Sequence, residues 1–564
     1  MKLLHFFLFF YASSMFAQID YPKDYFRLPL DIPMKLSGNF GELRPNHFHA
    51  GFDFKTMQKE GLKVYAVADG YISRIKISTF GNGKTIYINH PNGITTVYGH
   101  LQSANGIIEQ YIKTTHYKKE NYEIEMFPLA NEIMVKKGDI IAFSGNTGSS
   151  GGPHLHFEFR DTKSEKVINP YFFGYDLAMK DTKKPLISSL LVYPIEDASV
   201  VNQSKRPVVL NLSLQADGTY LAQKVSAKGK IGFGIDAYDL FDLSYNRYGI
   251  YKMQSFINGK PSFRFQLDTF SFDESKYINA FIDYYKYKQS RQRIQKLFMK
   301  NPFPLSIIST DTNKGILDVI ANFTNVYRIE VSDFYGNTTM VSIPISYSAL
   351  ESTISEEVTK TQYFVKSKTD SNYEKDNCSV FFPAGTFYDD FYLNFDVKNN
   401  IMTVHDDRIA VNNNFLVTII DNSAIKDGKT FIASIKENKL SYNATKNIEN
   451  TFTTYTKKLG NFTLARDTVA PKISISKTIQ GKWISTQKTI QLNISDGLSG
   501  IKTYNGYLNG KWILFEYENK TNRITHYFDD GIVAEGKNDL KVVVTDNVGN
   551  STIFETQFFR SQKK

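Results

Sequence analysis

The chain has 564 residues, 41% of them hydrophobic, 22% charged and 14% aromatic, with 67 basic against 57 acidic side chains. That length calls for three or four domains with ample apolar material for several cores, and 35 glycines and 17 prolines are too few for a collagenous or low-complexity chain. The net charge of +10 is spread without like-charge runs or aromatic–basic stripes, which excludes a nucleic-acid-binding surface and leaves at most a weak attraction to anionic envelope polymers.

In chain order, Met1-Lys2 leads into LLHFFLFFYASSMFA, ending at Ala17 before a polar segment. One positive charge, a short apolar stretch and a small residue describe a secretory signal over 1–17, too short to span a bilayer. No later segment approaches 18 continuous apolar residues, so the mature chain is expected to be exported and to lack a transmembrane segment. From 62 to 100, short β-rich runs alternate with turn signals at Phe80-Gly81-Asn82-Gly83 and Pro91-Asn92-Gly93, which predicts an antiparallel β domain over 18–176. Residues 102–134 interrupt it as an insertion, with Ile107, Ile108, Tyr111 and Ile112 at helical spacing before the polar run HYKKENYE. Strands resume at 133–135 and 140–145.

Beyond Pro170 the chain repeats itself. Asp181-Thr182-Lys183-Lys184-Pro185 resembles Asp467-Thr468-Val469-Ala470-Pro471, and VSDFYGNTT (331–339) resembles VTDNVGNST (544–552). A duplicated module of short strands fits Ig-like β-sandwiches over 181–350, with an insertion near 268–303, and over 467–564. Between them lie a polar linker, 351–376, and a β-rich domain, 377–465, whose lone Cys378 is expected to be buried and inert. The fold class is therefore mainly β throughout. The acidic ends (Asp496, Asp546, Asn547, Asn550) suit calcium, but Asx turns need the same residues for their backbone geometry.

The chemistry concentrates in the first third, where seven of the ten histidines lie between His47 and His156. His49 and Asp53 are four apart, and His154 and His156 two apart; in extended chain each pair shares a sheet face, with Leu155 and Phe157 turned into a core. Two imidazoles and a carboxylate, His49, Asp53 and His156, suit tetrahedral zinc with one position open to a water, whose pKa the metal brings toward about 7. His100 and His154 remain nearby as unliganded imidazoles. His47, at an odd offset, faces away; His90 before the Pro-Asn-Gly turn reads as structural, His116 as solvated. Glu158, on the face of His156, either orients that imidazole or makes a structural hydrogen bond.

These residues, with Tyr98-Gly99-His100-Leu101, the run Gly148-Ser149-Ser150-Gly151-Gly152-Pro153-His154-Leu155-His156-Phe157-Glu158, Lys136-Lys137-Gly138-Asp139 and Asn169-Pro170, resemble the M23 family of zinc metallopeptidases, the LytM- and lysostaphin-type peptidoglycan endopeptidases. The resemblance covers 37–175. It implies His49, Asp53 and His156 as zinc ligands, and His100 and His154 as the pair that positions water and stabilises the oxyanion. In the family the connection after Tyr-x-His-Leu is usually short; here it is the insertion 102–134, placed to edge the cleft or to decorate the surface.

The implied function is hydrolysis of peptide cross-links in peptidoglycan, with stem peptides as partners and a D-alanyl–diaminopimelate bridge as substrate in a periplasmic or envelope-associated setting. The Ig-like modules offer a surface for envelope protein partners. A different reading is a non-catalytic regulator of other wall hydrolases built on the same fold; such relatives lose zinc ligands, whereas this chain keeps all five residues. A third is an adhesion protein whose sandwiches do the main work.

Overall fold

Alternating β-branched and aromatic residues, punctuated by Gly and Asn turns, fold as mainly antiparallel sheets along the chain, with parallel pairings such as Val225 with Ile345 and Lys482 with Phe558. The computed structural model describes residues 21–242, 244–355 and 359–561; the expected signal, 1–17, lies outside them. Among the described residues no helix is long and apolar enough to cross a membrane.

The site-bearing domain uses β1 (Leu36–Gly38), β2 (Phe52–Lys55), β3 (Lys63–Tyr65), β4 (Gly70–Ile77), β5 (Lys84–Asn89), β6 (Ile94–Gly99), β7 (Leu101–Ala104), β8 (Ile124–Met126), β9 (Ile140–Ser144), β10 (His154–Asp161) and β11 (Val167–Ile168). The strand order of the site-bearing sheet is β1-β2-β10-β6-β5-β4-β8, with β3-β9-β7 as a small companion sheet. The central strand β10 pairs with β2, His156 opposite Asp53, and with β6, His156 opposite Gly99. Its side chains split by the two-residue period: Leu155, Phe157 and Phe159 are fully buried in the core. There Phe159 stacks on Phe173 at 4.1 Å and Phe157 meets Tyr98 edge-on at 5.2 Å. His154, His156, Glu158 and Arg160 stand on the other face.

The insertion after β7 forms α1 (Gly106–Lys119). Ile108 and Ile112 face inward as its spacing predicts, but Ile107 is exposed. His116, expected to be solvated, is buried on the same inner face; its Nδ1–H donates to the Asn121 carbonyl at 2.8 Å and its ring stacks on Tyr122. The helical period that buries Ile108 and Ile112 carries position 116 inward too, and a local carbonyl satisfies its polar atom.

The first β-module contains β12 (Leu186–Pro194), β13 (Val225–Tyr238), β14 (Thr269–Phe270), β15 (Thr324–Ser332) and β16 (Thr338–Tyr347). It is not a detached bead. β14 pairs with β11 and so extends the site-bearing sheet, and one hydrophobic core runs without a break from Phe26 to Ile345. Short helices follow β14 between Phe272 and Ser290, where the insertion was expected.

Residues 363–464 enclose a second core between two five-stranded sheets, and 473–558 a third between a four- and a five-stranded sheet. Part of the expected linker 351–376 is strand: 364–365 pairs with 391–392, and 371–375 with 378–382. A polar surface strand whose alternate residues are at most half-buried, as in 371–375, reads as linker by composition. Cys378 is buried, and burial pushes its thiol up to about 11.

The C-terminal module folds back onto the site-bearing domain. Glu516 holds Lys84 Nζ at 2.8 and 2.9 Å, Asp529 holds Lys113 at 2.9 Å, Tyr117 bonds Asp530 and meets Trp512 edge-on, and Lys520 reaches the Asn146 carbonyl.

Candidate metal centre

Three ligand-type atoms converge at the β2–β10 junction. His49 Nε2 lies 3.0 Å from Asp53 Oδ1 and 3.2 Å from His156 Nδ1, and His156 Nδ1 lies 2.9 Å from Asp53 Oδ1. All three side chains are buried. Asp53 and His156 arrive by strand register. His49 sits in the turn just before β2 rather than in the strand, and Gly51 allows that turn to cross β10: a Cβ there would lie 2.0 Å from the Phe157 carbonyl oxygen.

Each imidazole is held from behind. A carbonyl only accepts, so His49 Nδ1, 2.7 Å from the Asn39 carbonyl, carries the proton and leaves Nε2 as a lone pair. His156 is bound the opposite way round: Nε2–H donates to Glu158 Oε1 at 2.8 Å, leaving Nδ1 for the centre. The second oxygen of Glu158 accepts from Arg160 Nε at 2.7 Å. Burial alone would raise Glu158, but Arg160 and His156 hold it at about 2.

The donor set fits a cation. Two nitrogen lone pairs and a carboxylate oxygen within 3.2 Å of one another repel unless positive charge stands between them. The titrations express the same demand. Burial would lower His156, yet Asp53 and Glu158 raise it to about 9; burial would raise Asp53, yet His49, His154 and His156 hold it well below the usual carboxylate range. Nitrogen, nitrogen and carboxylate oxygen suit a borderline divalent ion with a position left open.

The other two candidate residues flank this group. His100 follows β6 in the left-handed region at φ 58° and donates Nδ1–H to the Thr147 carbonyl at 2.8 Å. Burial, with His156 and His154 as like-charged neighbours, lowers it to about 3, so it is neutral with Nε2 unprotonated. His154 donates Nδ1–H to the Gly152 carbonyl at 2.8 Å, has Ser150 Oγ at 3.1 Å from the same nitrogen, and places Nε2 3.4 Å from Asp53 Oδ1. The His100 and His154 rings are 4.7 Å apart.

The remaining histidines are elsewhere. His47 is exposed, with Nδ1 on the Pro45 carbonyl. His90 bonds the Asp69 carbonyl and Thr96 hydroxyl, each at 2.8 Å, and burial lowers it to about 4. Sequence reasoning missed Asn39, Thr147 and Gly152, which act through backbone carbonyls that any residue possesses. It also missed Arg160, whose signal was present: it is the next same-face residue after His156 and Glu158. From α1, expected either to edge the cleft or to decorate the surface, Lys113 and Tyr117 reach the C-terminal module at Asp529 and Asp530.

Residues 47–170 match Peptidase family M23, and residues 362–467 match a Zu5-like domain. A Haemophilus influenzae protein named an uncharacterized metalloprotease is 32% identical over 157 residues, 26% of this chain and 27% of its own. The DD-carboxypeptidase/endopeptidase Mpg of Neisseria meningitidis is 36% identical over 112 residues, 20% of each chain. The peptidoglycan DD-endopeptidase ShyC of Vibrio cholerae is 31% identical over 143 residues, 24% of this chain and 27% of its own. The chain spans about a quarter of the length of the curated relatives it matches.

Proposed function

We propose, from the premise that residues 47–170 are a Peptidase family M23 domain, that this protein is an exported zinc-dependent endopeptidase cutting the peptide cross-links of peptidoglycan, at the D-alanyl–diaminopimelate bond. The observation that carries the reading is the convergence of His49 Nε2, Asp53 Oδ1 and His156 Nδ1 within 3.2 Å beside the His100–His154 pair. The names of the Neisseria and Vibrio relatives support the substrate class. The leader-like opening and a wall substrate support a periplasmic setting, in which the C-terminal β-modules, read as Ig-like, would meet envelope partners.

In this reading His49, Asp53 and His156 hold Zn2+, which when bound polarises a peptide carbonyl and lowers the pKa of a water. The chain's own residues do the rest. Asn39 and Glu158 keep the two imidazoles in the tautomers that present lone pairs. His100 enters neutral, its Nδ1–H occupied, so its Nε2 can accept a proton from the attacking water and return one to the leaving amine. His154, tied back through Nδ1, presents Nε2 beside it, able when protonated to donate to the developing oxyanion. The roles of the two are interchangeable on this geometry.

The test is to incubate the zinc-loaded protein with purified cross-linked diaminopimelate-type peptidoglycan and follow muropeptides by mass, with His154→Ala as control. Cross-linked dimers should convert to monomers, and the conversion should disappear in the variant. A folded, zinc-loaded protein that converts nothing would overturn the endopeptidase reading.

A further inference from the structure

The junction between the M23 domain and the first β-module holds a second group of acidic side chains. Asp181, in the segment leaving the M23 domain, Asp239, just after β13, and Asp333, just after β15, each place a carboxylate oxygen within 4.8 Å of the others. They are 6%, 2% and 4% exposed. Asp333 is satisfied by the Asn337 N–H at 2.9 Å and its Nδ2 at 2.7 Å, and Asp181 Oδ1 accepts the Lys183 N–H at 3.0 Å. Asp181 Oδ2 and Asp239 Oδ1 are buried with no donor from any other residue, and the two carboxyls face each other within hydrogen-bond reach.

A third orphan comes from outside the cluster. The hydroxyl of Tyr171, contributed by the M23 side and 3% exposed, also has no partner. Tyr171, Asp239 and Asp333 line one cavity of about 10 Å³, room for a single water-sized species. Burial, with Asp181 and Asp333 as like-charged neighbours, pushes Asp239 up to about 8. Buried carboxylates with unused oxygens and no cationic partner are expensive unless something positive sits among them.

The C-terminal module repeats the arrangement and serves as an internal comparison. Asp467, Asp496 and Asp546 also converge within 4.8 Å. There the turns account for the acids: Asp467 accepts the N–H groups of Val469 and Ser499, Asp496 those of Leu498 and Gly500, and Asp546 those of Val548 and Asn550. None of their carboxylate oxygens is buried and unpartnered among the described residues. Turn-building thus explains the motif in the second copy and leaves in the first two facing carboxylates, which a positive charge must hold together, and a buried phenol with no partner.

We propose that Asp181, Asp239 and Asp333, with Tyr171 at the rim, bind one hard divalent cation of the Ca2+ kind, and that this ion clamps the M23 domain to the first β-module. An all-oxygen donor set selects such an ion over zinc. The groups around it already tie the two bodies together: the Tyr335 hydroxyl donates to the Asp176 carbonyl at 2.9 Å, and Asn337 Nδ2 to the Asp181 carbonyl at 3.2 Å. The proposal is independent of peptidase activity.

The test uses the zinc-loaded protein desalted into calcium-free buffer, then equilibrium dialysis against labelled Ca2+ and thermal unfolding with and without Ca2+. The wild type should retain calcium, Asp239→Asn should retain one equivalent less, and Asp467→Asn should match the wild type. Calcium should raise the wild-type midpoint by about 5 °C and leave that of Asp239→Asn in place. Should Asp239→Asn fail to fold, Asp333→Asn gives the same reading. No calcium retained by the wild type, or retention and midpoint shift undiminished in either variant, overturns the proposal and leaves protons as the neutralising charge.

Discussion

Glu158→Gln isolates the support beneath His156. The native carboxylate serves two partners, His156 Nε2 at 2.8 Å and Arg160 Nε at 2.7 Å, and the Glu158 and Arg160 side chains are 2% and 8% exposed. The amide keeps one acceptor oxygen but loses the charge. His156 then loses the anion that raises its basicity, and Arg160 loses its buried counterion and keeps only the largely exposed Glu165 at 3.7 Å. Losing a partner behind a ligand lowers metal affinity about 10–100-fold. Breaking a buried ion pair from one side costs about 3–5 kcal/mol. The Arg160 guanidinium also lies over Phe272 at 4.5 Å and Tyr87 at 5.4 Å, which retains part of that, so we expect a net loss of about 3 kcal/mol. Chelator competition reads the first effect and thermal unfolding the second, as a midpoint about 6–12 °C lower. A variant with wild-type metal affinity and wild-type midpoint would refute the reasoning, because it would show His156 to be oriented by the strand alone.

The same carboxylate predicts a pH dependence in the metal-free protein. Burial opposes its ionisation, but Arg160 and His156 hold it at about 2, below an unfolded value of about 4.3, so its contribution is complete above about 4.3 and lost as pH falls toward 2. That limb, about 3 kcal/mol, should be missing from acid-unfolding curves of Glu158→Gln; superimposable curves would refute it. Glu516→Ala should loosen the C-terminal module. With side chains 12% and 26% exposed, the Lys84–Glu516 pair lies between a surface and a buried bridge, so about 2 kcal/mol should be lost and Lys84→Met in the same chain should recover most of it. Limited proteolysis reads the undocking, and equal cleavage of wild type and variant would count against it.

The convergence at the candidate site was legible in the sequence where local period determines geometry. His154 and His156 sit on one face of β10 because residues two apart in a strand must, and Asp53 opposes His156 through antiparallel register. His49 was reached by the same even-offset argument although it lies outside the strand; the turn through Gly51 brings it to the same place. What stayed hidden is long-range. Nothing in the spacing of Thr269-Phe270 announces that it pairs with Val167-Ile168 and fuses the first module to the M23 sheet. Nor does an acidic patch near 529–530 announce that α1 is its partner. His116 misled because a polar run around it outweighed the helical period that buries it. Backbone acceptors such as Thr147 leave no mark on composition at all.

The fused core gives the first module a route to the candidate metal centre. Asn39 uses its backbone carbonyl to hold His49 Nδ1–H at 2.7 Å, while its side chain grips the module: Nδ2 donates to the Gly249 carbonyl at 2.9 Å, and Oδ1 accepts the Gly249 N–H at 2.8 Å. The position of the carbonyl behind His49 is therefore set by a residue about two hundred positions away in the sequence, across the junction. Asn39→Ala removes both side-chain bonds and leaves a half-buried N–H and carbonyl on Gly249, which costs about 1–3 kcal/mol. If Asn39 only glued the two bodies, zinc affinity would be unaffected in the folded variant. If it positions His49, zinc binding should weaken by about tenfold at a temperature where the protein remains folded. Asn39→Asp, which keeps the acceptor for the Gly249 N–H, should recover part of the loss. Unchanged zinc affinity in folded Asn39→Ala would separate the module from the centre, and the appended β-structure would then have to act on substrate or partners rather than on the ligand geometry.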